Sequence, residues 1–252
     1  KINHRIDHFC EDRSNTIITG DRTTVITVNA DNVNISHFTI TNTNASEGSS
    51  IIHVNGENSI ITDNIISYGY HGIHLYNTYN HLIYDNIIRN NAGDGVRLYQ
   101  SHNNANISFN TISGNKNGVY VYASDGITIY NNNIQNNNQS GIFLNSTCQN
   151  NIISHNNASK NGNYGIYLND YSDYQTIVHN RVFYNNNSGI VLENSSMNFN
   201  INDNIVSRNT NYGMMIIGST NNVYDNIISY NKKDGIYLSA DDNNTVYNNT
   251  IY

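Results

Sequence analysis

The sequence predicts an all-β chain folded as a single-stranded parallel β-helix, a solenoid of about ten coils of 22–24 residues. Three observations carry that expectation. A Gly-Ile-x-Leu signature or a close variant begins at Gly72, Gly95, Gly118, Gly141, Gly165, Gly189, Gly213 and Gly235, one step of 22–24 residues after another. The apolar residues between these glycines alternate in short pieces such as Ile73-His74-Leu75, Ile83 and Ile88, too brief for a helix and right for a strand. The composition fits: 54 of the 252 residues are Asn, none is Pro, and 12% are charged. Asn richness alone would suggest disorder, but the regular Ile, Val and Leu argue against it.

From the N-terminus, residues 1–24 read as an irregular coil, and strand-like pieces begin near Ile17. Coils stacked at about 4.8 Å would give a rod of about 45–50 Å. One apolar column should face inward: Ile73, Val96, Val119, Ile142, Ile166, Ile190, Met214 and Ile236. A structural ladder is expected at Asn64, Asn86, Asn110, Asn132, Asn156, Asn180, Asn204, Asn226 and Asn249, where Asn tolerates left-handed turns and its amide bonds the coils above and below. A second Asn register runs from Asn91 to Asn231, with Gly69 in its first place. The repeated Gly is expected to supply a bend that a Cβ would obstruct. Proline is absent because stacked strands need every N–H. Cys10 and Cys148 fall about five coils apart, on the order of 24 Å, too far for a disulfide.

The segment from Asn15 to Asp21, the run from Val25 to Ile40 and the Gly-Ile-x-Leu/Asn-x-Ile repeats together resemble right-handed parallel β-helix proteins. They are most similar to the NosD-like, carbohydrate-binding and sugar-hydrolysis repeat type of the pectate-lyase-like superfamily. The resemblance covers nearly the whole chain. It implies a scaffold that hosts lyases, hydrolases, epimerases, adhesins and structural arrays, so function must be read from the site. Tyr68-Gly-Tyr-His-Gly-Ile-His74 also resembles the Tyr-Gly-Phe-Asp-Pro-His segment of mannuronan C5-epimerases, without its Asp and Pro.

In β-helix polysaccharide enzymes the site lies on an outer sheet face, so the outward columns matter most. The early coils gather His53, His71, His74, Asp94, Arg97, Tyr76, Tyr99, Tyr120 and Tyr122, and the column continues through Phe143 and Tyr167. Candidate catalytic residues are His74, Arg97, His71 and Asp94: Arg97 to neutralise a uronate carboxylate, a histidine to take the C5 proton, a tyrosine to return one. Candidate substrate-binding residues are His53, Tyr76, Tyr99, Tyr120, Tyr122, Phe143 and Tyr167, whose rings offer sugars flat apolar surfaces. The carboxylate pairs Asp63/Asp85 and Asp203/Asp225 share one repeat slot, which explains them better than glycosidase chemistry does.

Two functions remain open. The first is an extracellular or cell-surface module, or a periplasmic one, that binds polysaccharide or contributes to envelope structure. The second is a polysaccharide-active enzyme, a uronate lyase, C5-epimerase or glycoside hydrolase, with its site on the early coils. Short uniform coils without walling insertions favour the first. The formal charge of −7 disfavours nucleic acid, and no apolar run is long enough to span a membrane. No cofactor and no metal site are expected, since Met197, Met214, Met215 and the cysteines do not cluster with the histidines. The expected partner is a polysaccharide or surface glycan. Residues 1–252 read as one domain, expected to belong to a larger protein, with flanking domains or end-to-end self-association covering the solenoid ends.

Overall fold

A computed structural model describes residues 13–100, 104–193, 197–239 and 243–252. Cys10 and the N-terminal half of the 1–24 segment lie outside these residues. Within that segment, Ile17–Gly20 forms a strand, where the strand-like pieces were expected to begin. The described residues hold 31 short strands, numbered β1 to β31 in chain order, in three parallel sheets. Sheet A takes ten strands from β2 (Ile26–Val28) to β29 (Ile236–Leu238). Sheet B takes eleven, from β1 (Ile17–Gly20) to β31 (Thr250–Ile251). Sheet C takes ten, from β3 (Asn34–Ser36) to β30 (Thr245–Tyr247). Each strand pairs with the strands three before and three after it, so the chain is a parallel β-helix of about ten turns.

The core is the stack of inward residues. Ile73, Val96, Val119, Ile142, Ile166, Ile190 and Met214 are fully buried, and each such aliphatic side chain contributes about 1.5–3 kcal/mol by leaving water. Ile236, in the last turn, is only partly buried against them.

The Asn ladder is continuous. The Nδ2 of each ladder Asn donates to Oδ1 of the next, from Asn64 to Asn86 at 3.1 Å through Asn226 to Asn249 at 2.9 Å. That same Oδ1 accepts the backbone N–H of the Asn before it, as Asn132 Oδ1 does from Asn110 at 2.9 Å. Burying an amide costs energy unless it is fully bonded, and stacking satisfies it without a helix. The left-handed turn falls one residue earlier than expected: Asp63, Asp85, Phe109, Asn131, His155, His179, Asp203, Asp225 and Asn248 all have positive φ, between 51° and 58°. The paired aspartates are therefore corner residues, and Asp63 accepts from Arg13 at 3.3 Å. The second register forms its own ladder from Asn91 to Asn231, begun by the Gly69 N–H on Asn91 Oδ1 at 2.8 Å.

The repeated glycines serve close approach rather than a bend. A Cβ on Gly95 would lie 2.7 Å from the Gly118 carbonyl oxygen and 2.9 Å from Asn115 Nδ2, and Gly95 is not in the left-handed region.

Candidate functional site

Sheet A builds the site because its register aligns one outward side chain per coil. Strands β5 (Ser50–Val54), β8 (His71–Tyr76), β11 (Val96–Tyr99), β14 (Val119–Tyr122), β17 (Ile142–Asn145) and β20 (Ile166–Asn169) carry it. Their pairing stacks His53, His74, Arg97, Tyr120, Phe143 and Tyr167 in one column, and Tyr76, Tyr99 and Tyr122 in a second. All eleven sequence-derived candidates therefore lie on or directly under this face.

The rings form two runs. Tyr76, Tyr99 and Tyr122 stack nearly parallel, with centroids 5.8 and 4.6 Å apart. Tyr120 meets Phe143 edge-on at 5.2 Å, and Phe143 stacks on Tyr167 at 4.7 Å. The Arg97 guanidinium sits between the runs, its Cζ 5.6 Å from the Tyr99 centroid and 5.1 Å from that of Tyr120.

His71 and Asp94 are not on the solvent face. They are 5% and 3% exposed, His71 at the first position of β8 and Asp94 in the turn before β11. His71 Nδ1 accepts the backbone N–H of Asp94 at 3.0 Å, so the neutral ring carries its proton on Nε2. Burial, with the nearby Arg97, His74 and Lys116 charges, pushes the His71 pKa down to about 3. Its 3.6 Å approach to Asp94 Oδ2 is therefore not an ion pair near neutral pH. Asp94 accepts from Asn117 Nδ2 at 2.8 Å and from Arg97 Nη1 at 3.2 Å. Burial still moves its pKa upward, against the pull of Asn117 and Arg97. Asp94 thus holds the guanidinium from beneath.

His53 and His74 meet edge-on at 4.9 Å. Burial, with His53 and Arg97 nearby, pushes His74 down to about 3, and its Nε2 is shielded from solvent without a hydrogen-bond partner. Burial lowers His53 as well. Burial raises Tyr120, and burial together with a 2.7 Å hydrogen bond to Glu193 raises Tyr167.

Beside Arg97 opens a cleft of about 250 Å³, bounded by Asp94, Tyr120, Phe143 and Tyr167 on the sheet side and by Lys116 and Asn163 on the other. That volume lies just below the range of about 300–1,000 Å³ for drug-sized ligand sites and suits one sugar ring. Sequence reading assigned no role to Lys116, Gln139 or Asn163. The Gln139 N–H donates to Lys116 O and the Asn163 N–H to Gln139 O, so they recur one per coil, but the residue type changes at each step and no sequence motif marks them.

The matching family profile is that of the periplasmic copper-binding protein NosD, over residues 13–187 and 172–252. The chain belongs to this family. The family's periplasmic location falls within the extracellular, cell-surface or periplasmic setting expected from sequence, and no helix among the described residues is long and apolar enough to cross a membrane. Among solved structures it is similar to a mutant form of the periplasmic alginate epimerase AlgG (TM-score 0.77, 22% identity, 91% of this chain and 62% of that one). It is also similar to the A-module of the Azotobacter vinelandii mannuronan C-5 epimerase AlgE4 (TM-score 0.72, 17% identity, 85% and 64%) and to the Dettilon tailspike protein (TM-score 0.60, 13% identity, 88% and 61%). The chain spans a little over three-fifths of each, and at these identities the likeness establishes the parallel β-helix fold. No curated protein matches the sequence significantly.

Copper, which the family description implies, does not fit the donors among the described residues. No three His, Cys, Asp or Glu side chains are placed there to hold one metal ion. Cys148 is buried, its thiol pushed up to about 11 chiefly by that burial, and it donates to the Asn145 carbonyl at 3.4 Å. Met214 is buried in the core. A copper site needs accessible soft donors or imidazoles arranged about one point, and the neighbouring His71 and His74 are largely buried instead.

Proposed function

We propose that this chain is a periplasmic module that binds an acidic polysaccharide along the early coils of sheet A. One observation carries the reading: Arg97 is held by a buried carboxylate at 3.2 Å and flanked by two tyrosine faces at the mouth of a sugar-sized cleft. A uronate carboxylate pairs with the remaining guanidinium N–H donors and Lys116, while its ring lies against Tyr120, Phe143 and Tyr167. The structural neighbours named as alginate and mannuronan epimerases support a uronate as the ligand class. Binding is favoured over catalysis because a general base works best with a pKa near the working pH, and His71 and His74 are held at about 3. The test is a glycan array combined with a uronate-release assay on alginate and pectate. Uronate binding that Arg97→Ala removes, with no product formed, is the expected result.

A second reading, C5 epimerisation or lyase chemistry, is favoured by one feature. His74 is neutral near pH 7 and lies one coil from Arg97 with no hydrogen-bond partner on Nε2, which would take a proton in the tautomer protonated on Nδ1 once a substrate reached it. Unsaturated or epimerised product that His74→Ala abolishes would establish this reading in place of binding alone.

A further inference from the structure

The late coils of the same face repeat the chemistry of the Arg97 cleft. Tyr212 and Tyr237 stack at 4.8 Å, and Lys233 Nζ lies 4.9 Å from the Tyr212 centroid. Both rings are half-buried and Lys233 is exposed, so aromatic surface and cation are presented together. Cation–π contact fixes an ammonium over the ring without neutralising it. Following the register from Arg97 through Tyr120, Phe143, Tyr167, Val191 and Met215 to Tyr237 counts six coil steps, about 29 Å at about 4.8 Å each.

A row of amides joins the two places. Asn163, at the Arg97 cleft, accepts from Asn187 Nδ2 at 3.0 Å, and Asn187 accepts from Asn211 Nδ2 at 2.9 Å. The Asn211 carbonyl oxygen accepts the Lys233 N–H at 3.0 Å, and Asn211 Oδ1 has no hydrogen-bond partner. The track follows this row rather than the sheet column, because Val191 is buried there. Two acidic groups lie near it: Glu193 accepts the Tyr167 hydroxyl at 2.7 Å, and Asp234, next to Lys233 in the chain, is exposed.

We propose that Tyr212, Tyr237 and Lys233 form a second subsite for the same acidic polysaccharide, so that one glycan chain lies along sheet A with contacts at both ends of the amide row. This rests on the reading of sheet A as a glycan-binding face. Tethering by the first subsite makes engagement of the second intramolecular, so affinity rises with chain length once both are spanned.

The test is calorimetry with a uronate tetrasaccharide and a uronate decasaccharide. Lys233→Glu, and separately Tyr212→Ser with Tyr237→Ser, should weaken decasaccharide binding on the order of tenfold and leave tetrasaccharide binding unchanged. Arg97→Ala should weaken both. Unchanged melting of the exposed Lys233→Glu variant separates lost contact from lost fold. Decasaccharide affinity indifferent to Lys233 and the two tyrosines, with Arg97→Ala still weakening it, overturns the second subsite and leaves the first standing. Failure of the wild-type chain to bind either oligosaccharide overturns both.

Discussion

The backbone N–H of Asp94 donates to Nδ1 of His71 at 3.0 Å, and this bond requires a neutral imidazole. His81 is fixed in the same manner: its Nδ1 accepts the Ser59 N–H at 3.2 Å, and its Nε2 lies 2.8 Å from the Thr78 hydroxyl, which donates to Gly56 O. Protonating either ring removes an acceptor that a buried N–H needs.

Acid should therefore destabilise the fold well before the carboxylates titrate. Burial is the first cause for all three rings, lowering His71 and His74 to about 3 and His81 to about 4 from 6.5. The unfolded chain takes up these protons first, so the stabilisation is complete above 6.5 and is lost progressively as pH falls toward the folded values. Each histidine contributes a slope of at most about 1.4 kcal/mol per pH unit. Urea midpoints measured across that window should fall with pH, and His81→Asn should flatten its share. A midpoint independent of pH would contradict the buried neutral rings.

The Asn ladder predicts position-dependent costs. Asn132 Nδ2 donates to Ile107 O at 2.7 Å and to Asn156 Oδ1 at 3.0 Å, while its Oδ1 accepts from Asn110. Asn132→Ala leaves buried groups unpaired on both neighbouring coils and should cost about 3 kcal/mol in chemical denaturation. Asn249→Ala, in the last described coil, should cost under about 1 kcal/mol. Equal losses at the two positions would show that the ladder is not cooperative.

Gly118→Ala tests the close-approach account. Its Cβ would collide with Ile134 Cγ2 and the Gly141 carbonyl oxygen, and the latter belongs to backbone that cannot rotate away. A loss of about 1–3 kcal/mol in thermal or chemical melting is expected. A neutral outcome would restore the bend explanation.

Cys148 fills a slot that holds Ser124 and Ser172 on the adjacent coils, where the serine hydroxyls donate to backbone carbonyls. Buried and with its thiol raised to about 11, it should resist alkylation in the folded chain and react once urea unfolds it. Mass spectrometry localises the label. Rapid native-state labelling at Cys148 would place it on an accessible surface.

The fold was legible because a solenoid writes its geometry into its period: one coil is one repeat, so Ile73 predicts Val96 and Asn64 predicts Asn86 directly. The outward columns followed from the same register, and so did the Tyr76–Tyr99–Tyr122 stack. Depth at the turns was not legible. His71 and Asp94 share the face in sequence but fold beneath it, as do Asn117, Ser140 and Ser188 in the same column, whereas Tyr212 and Asp234 farther along it do not. A third ladder was also hidden. His81, Asn151, Gln175, Asn221 and Asn244 occupy one column and cap the same kind of N–H, but the residue type changes from coil to coil, so no motif repeats. Lys116 and Asn163 escaped notice for the same reason.

The most direct test is isothermal titration of a uronate oligosaccharide and a neutral oligosaccharide of equal length into the wild-type chain and Arg97→Ala. Saturable binding of the uronate alone, weakened at least about tenfold by Arg97→Ala and by rising salt, is the predicted result. Equal binding of the neutral oligosaccharide, or uronate binding indifferent to Arg97, would contradict the assignment of this face to an acidic glycan.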